Sequence, residues 1–222
     1  MALDVTTKDC TALSDSEVAE MADLCADAGI PFEVGTLSKQ VEEWVLVTLV
    51  REGNTLRGFS FSTLERIGGT PCILLGVGAV RRTSRRDPVL KAIVGDNFRR
   101  ALMAFPDEDV LLGTRMANPG ATEAFKLLDD IIPRSGHKAS GEERAWGRRL
   151  AKRFGVDAGR YDDQTFRVAG DGTPSLVLDH ESLKPEKIGA AVTDLFKGLD
   201  VANGDCLVTF GWAMAEELLK HG

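Results

Sequence analysis

Ile73-Leu74-Leu75-Gly76-Val77-Gly78-Ala79-Val80 runs directly into Arg81-Arg82-Thr83-Ser84-Arg85-Arg86, and Asp87-Pro88 follows. The first eight residues are almost all apolar, as expected of a strand covered on both faces of its sheet. After Pro88, the residues Leu90, Ile93, Val94, Phe98, Ala101, Leu102 and Phe105 form one helical stripe, with Lys91, Arg99 and Arg100 outside it. Asp87 is placed to cap that helix, and Pro88 suits its first position. A strand that delivers arginines to a helix N-terminus is a physical recipe for holding an anion, because the first peptide N–H groups lack partners within the helix.

Downstream, Val110-Leu111-Leu112 reads as a second apolar strand, extending to Thr114. Asn118-Pro119-Gly120-Ala121 then opens a helix that carries Phe125. Upstream, Ser14 and Glu17 stand at capping-box spacing, and Val18, Met21, Ala22 and Cys25 recur at helical intervals. A short helix is expected over 37–43. Two β-rich runs, 44–50 and 56–64, flank the turn chemistry of Glu52-Gly53-Asn54-Thr55 and predict a hairpin.

Beyond Pro133 the chain changes character. Residues 134–138 read as a loop, and Ser140 begins a strongly charged helix that ends near Gly155. The polar stretch 157–163 follows. Phe166 to Val168 is expected to pair with Leu176 to Leu178 across Gly170-Asp171-Gly172. A helix over 185–199, a strand over 207–210 and a final helix over 213–220 complete the reading.

The chain has 222 residues, enough for one large domain or one domain with an elaboration, and a net charge of −7. That balance argues against nucleic acid or an acidic membrane as partner, so attraction for anions must be local. The N-terminal residues lack a secretory pattern, and no apolar run reaches membrane-spanning length. Cys10, Cys25, Cys72 and Cys206 form no CxxC pair, which disfavours zinc and a disulfide framework. A reduced, cytoplasmic location is expected.

The order helix, antiparallel strands, arginine-marked strand-to-helix turn, strand, helix resembles the GCN5-related N-acetyltransferases, over roughly residues 3–133. The most specific local match is Asn118-x-x-Ala121-x-x-x-Phe125, similar to the Asn-x-x-Ala-x-x-x-Tyr that follows the family's fifth strand. The resemblance implies an α/β fold of the α+β type: a mixed, mostly antiparallel central sheet flanked by helices, with residues 1–133 as the acyltransferase-like core. Residues 134–222 would be a C-terminal extension packed on that sheet or completing it. It further implies acetyl-CoA or another acyl-CoA as co-substrate, its pantetheine between the strands at 73–80 and 110–114 and its pyrophosphate on the turn at 81–90.

The implied cofactor-binding residues are Val80, Arg81, Arg82, Arg85, Arg86 and Asn118. Glu65, at the end of a strand, is the implied general base. The implied reaction is direct attack of a small-molecule amine on the thioester, and the resemblance leaves a homodimer open. This chain departs from the family at two places. Its nearest frame to the phosphate loop is Arg85-Arg86-Asp87-Pro88-Val89-Leu90, with Pro and Leu where the family has small residues, and proline offers no N–H. Phe125 stands where many members carry a tyrosine acid, and Tyr161, the sole tyrosine, is the one phenol that could replace it.

Each candidate also has an ordinary explanation. The arginines can pair with surface carboxylates, Asn118 can simply cap its helix, and Glu65 can be an exposed strand-end carboxylate. Asp179-His180-Glu181 is not a metal-ligand spacing, since neighbouring strand residues face opposite ways and only Asp179 and Glu181 could share a face. The rival to an acyltransferase is a non-catalytic protein on the same fold that binds an anionic ligand or a protein partner.

Overall fold

The computed structural model describes residues 2–221. Its centre is a sheet in the order β1-β2-β3-β4-β5-β10-β8-β7, with β6 paired to β10 and β9 paired to β4. The strands are β1 (Asp4–Asp9), β2 (Leu46–Glu52), β3 (Thr55–Ile67), β4 (Thr70–Val80), β5 (Val110–Met116), β6 (Asp129–Ile132), β7 (Tyr161–Asp162), β8 (Arg167–Val168), β9 (Leu178–Asp179) and β10 (Cys206–Ala213). The helices are α1 (Asp15–Asp27), α2 (Val34–Glu43), α3 (Arg86–Ala104), α4 (Gly141–Arg153), α5 (Ala190–Leu195) and α6 (Ala215–His221). Most strand pairs are antiparallel, while β4 pairs in parallel with both β5 and β9. No helix among the described residues is long and apolar enough to cross a membrane.

Local chemistry explains the elements. Ser14 and Glu17 form the expected capping box, and α1 buries Val18, Met21, Leu24 and Cys25. Ser140 and Glu143 do the same for α4. The apolar stripe of α3 packs Val89, Leu90, Ile93, Val94 and Phe98 against one face of the sheet, beside Ile73 and Leu75. The opposite face, with Leu74 and Val77, is covered by α1, α2 and α4. β4 is therefore covered on both sides, which is why it reads as an unbroken apolar run. Asp96 of α3 is buried, and it accepts hydrogen bonds from Thr7 (2.6 Å), Arg99 (2.5 Å) and Arg100 (2.8 Å), tying α3 to β1.

Several expectations fail, for physical reasons. The segment after Asn118 is a 3-10 helix over Pro119–Phe125, and the expected helix over 185–199 splits into a 3-10 turn at Pro185–Lys187 and the short α5. Leu176 to Leu178 does not pair with 166–168. Arg167 and Val168 pair with β10, and Leu178 crosses to β4. Asp87 does not cap its own helix; Arg85 holds the N-cap position and its side chain does not cap the helix, and the Asp87 carboxylate is engaged elsewhere. β1 and β6 had no sequence signal, because β1 is mostly polar and β6 is four residues long.

Candidate functional site

β4 and β5 pair from Cys72 opposite Leu111 to Leu75 opposite Thr114, and Thr114 Oγ1 donates to Leu75 O at 2.9 Å. Beyond that point they no longer pair, and β4 takes β9 as its partner, with Gly78 opposite Leu178 and Ala79 opposite Asp179. The Gly78 N–H donates to Val177 O at 3.2 Å. Leu178 is completely buried, in the core shared with Val80, Met116 and Ala121. The space between the ends of β4 and β5 is thus filled by the chain's own residues 177–179.

The chain then passes over the N-terminus of α3. Asp87 accepts hydrogen bonds from Leu183 N and from His180 Nε2, both at 3.1 Å. Arg86 donates to Glu181 O (2.6 Å) and Ser182 O (3.2 Å). Gly120 lies beneath this passage, where an added Cβ would overlap His180 O and stand 2.8 Å from Ser182 N. Only glycine permits so close a crossing of two backbones.

The arginines of the turn are paired. Arg82 reaches Asp179 at 2.8 Å and Glu181 at 3.3 Å, and Arg85 reaches Glu52 at 2.8 Å. Arg81 pairs with Asp27 and donates to Leu56 O. Asp179, on β9, and Glu181, beyond its end, both meet Arg82. Burial pushes the Asp179 carboxyl above the usual range, opposed by Arg82. Burial lowers the His180 imidazole, opposed by Asp87. Val80 is buried in the core. Asn118 caps its 3-10 helix by accepting from Ala121 N at 3.2 Å, and its Nδ2 donates to Asp179 Oδ1 at 3.2 Å.

The strand position that the resemblance implies for pantetheine is held by Val177 to Asp179, and the charge of the turn is met by protein carboxylates. The structure also separates the two implied catalytic residues. Glu65 is clasped by Arg153 of α4 through two contacts of 2.6 Å. Tyr161 lies on the edge strand β7, with β5, β10 and β8 between it and β4. Its hydroxyl is buried against Gly147, has no hydrogen-bond partner among the described residues, and is pushed up by burial and by Asp163 and Asp162. It is not brought to Phe125, which is buried in the core on the α3 side of the sheet.

On the opposite face lies a cavity of about 740 Å³ that sequence reading missed. Phe32, Gln40 and Trp44 line it from the α1–α2 side, Thr63 and Leu74 from the sheet, and Phe154, Ser175 and Leu176 from the C-terminal region. Arg115 of β5 reaches it. This side chain has no ion pair and no hydrogen bond among the described residues; its guanidinium lies 5.4 Å from the Phe154 ring centre. Burial lowers its pKa. Two other arginines of the wall are satisfied, Arg153 by Glu65 and Arg160 by Asp171. Arg115 carried no signal in the sequence, since one arginine in an apolar strand does not reveal whether a carboxylate will face it.

No protein-family model matches the chain, and no curated protein sequence matches it. Among solved structures it is similar to the aminoglycoside 6'-N-acetyltransferase of Enterococcus faecium, at 19% identity and a TM-score of 0.40, over 53% of this chain and 64% of that one. This chain therefore spans less than two thirds of that enzyme. It is similar to a chain of the NatC complex bound to Gag peptide and CoA, at 16% identity and a TM-score of 0.44, over 61% of this chain and 89% of that one. The ribosomal-protein-S18-alanine N-acetyltransferase of Escherichia coli aligns at 12% identity and a TM-score of 0.42, over 63% and 86%.

Proposed function

We propose that this chain is a non-catalytic binding protein on an acyltransferase-like sheet, and that its ligand is a small anion rather than an acyl-CoA. The observation that carries this reading is β9, lying against the end of β4 where a pantetheine would have to lie. A strand held by backbone hydrogen bonds, a buried leucine and charge-assisted contacts at Arg82, Arg86 and Asp87 is a stable occupant, because each of those groups would need a new partner on its removal. The anion is favoured by contrast: the arginines of the turn are paired, whereas Arg115 reaches a cavity whose carboxylates, Glu43 and Asp171, form no ion pair with it.

Calorimetric titration with acetyl-CoA and with longer acyl-CoAs tests this. No heat of binding at millimolar cofactor is the expected result, and saturable micromolar binding would refute it.

The second reading is acyl transfer from an acyl-CoA to an amine of a small molecule. It is favoured by the parallel strands β4 and β5, which part in mid-sheet beside an arginine-rich helix start. It requires residues 177–183 to leave the cleft. A free-thiol release assay across an amine panel separates the two readings, since only the second yields CoA.

A further inference from the structure

We infer that the cavity beside Arg115 is a binding site for a singly charged organic carboxylate with a flat apolar body. The inference rests on the reading of the chain as an anion-binding protein and names the class of ligand.

Charge sets the first requirement. A guanidinium partly withdrawn from water without an ion pair is costly; Glu43 acts on Arg115 electrostatically but forms no ion pair with it, so the site has a place for one more negative group. The other charges of the wall balance: Arg153 meets Glu65, Arg160 meets Asp171, and Lys39 and Glu43 stand exposed at the rim with opposite signs. One missing charge fits a carboxylate better than a phosphate dianion. The planar fork of an arginine also matches a carboxylate through two parallel hydrogen bonds. Thr63 is buried on the same wall and its hydroxyl is bonded to no described residue, which leaves it available to the anion.

Shape sets the second requirement. Trp44 is fixed in place: its indole N–H donates to Gln40 Oε1 at 3.0 Å, and Gln40 in turn donates to Glu43 Oε2 at 2.9 Å. Its ring lies against Gly76 of β4, where any Cβ would overlap it. Trp44 and Phe154 stand 6.3 Å apart between ring centres at 36°, and Phe32 closes the same side. Aromatic walls held in this way suit a flat apolar body, and a volume of about 740 Å³ is within the range of small-molecule sites.

The test is thermal shift and calorimetry with a panel of monocarboxylates led by phenylacetate and cinnamate, alongside phenylacetamide, inorganic phosphate and acetyl-CoA. Aromatic carboxylates are expected to bind saturably, phenylacetamide not at all, and Arg115→Gln to weaken carboxylate binding by about tenfold or more. Equal binding of acid and amide, equal binding by wild type and Arg115→Gln, or no carboxylate bound at millimolar concentration would each overturn the inference. Phosphate binding without carboxylate binding would overturn it too.

Arg115→Met supplies a readout that needs no ligand. If Arg115 awaits a ligand, the variant is at least as heat-stable as wild type, whereas a marked loss of stability would assign the arginine a structural role instead. Acetyl-CoA binding would sink the non-catalytic reading while leaving the Arg115 comparison intact, so the two failures are distinguishable.

Discussion

His180 and Gly120 show how single residues hold the filled cleft. His180 is fully buried, facing Asp87, with Glu123 and Arg82 as further charged neighbours. Its folded pKa lies below the ordinary 6.5, so the unfolded chain binds more protons as pH falls past that value. Stability therefore declines on acidification below about 6.5, and His180→Gln is expected to flatten that part of the curve. Urea midpoints of both proteins across this range check the sign. Gly120→Ala would push a methyl group into the backbone at His180 and Ser182. We expect it to cost about 1–3 kcal/mol, read from chemical denaturation.

Little of this was legible at the residue scale. The Arg81–Arg86 cluster announced positive charge, but Asp27, Glu52, Asp179 and Glu181, which neutralise it, lie far away in sequence. Asp87 looked like a helix cap by position. A carboxylate at the start of a helix is equally well placed to accept an N–H from elsewhere, and here Leu183 supplies it. Asn118 was the easier case: its spacing to Ala121 is that of a cap, and a cap is what the structure shows.

At the scale of elements, the strands with strong local patterns were readable and the non-local pairings were not. The apolar run of β4 and the stripe of α3 follow directly from burial on both sides and on one side. β9 is two residues long, and nothing in Leu176-Val177-Leu178 says that it will cross to Gly78 rather than fold back on a nearer strand. Parallel pairs need long connections, so their registers are invisible to short-range reasoning. The energetic weight of β9 falls on Leu178. Leu178→Ala is expected to cost about 2–5 kcal/mol, at the upper end if the surrounding core cannot collapse, as measured by urea denaturation.

At the scale of the whole molecule, the region after residue 133 supplies strands to the middle of the sheet. β10 pairs with β5 from Leu207 opposite Met116 to Ala213 opposite Val110, and it carries β6 and β8 on its other side. Removing it would turn the buried apolar β5 into an open edge, which favours aggregation. A fragment ending at Pro133 is therefore expected to be insoluble or unfolded by circular dichroism; a soluble, cooperatively folding fragment would contradict this. The same region supplies β9, so the part of the chain that completes the sheet also fills its cleft.

The most direct test of that filled cleft is amide hydrogen exchange at Gly78, Leu183 and the backbone of 177–183, with and without millimolar acetyl-CoA. If β9 is a permanent part of the sheet, Gly78 and Leu183 exchange as slowly as the β4–β5 ladder, and the cofactor changes nothing. Exchange as fast as an open loop, or loss of protection on adding acetyl-CoA, would contradict the account.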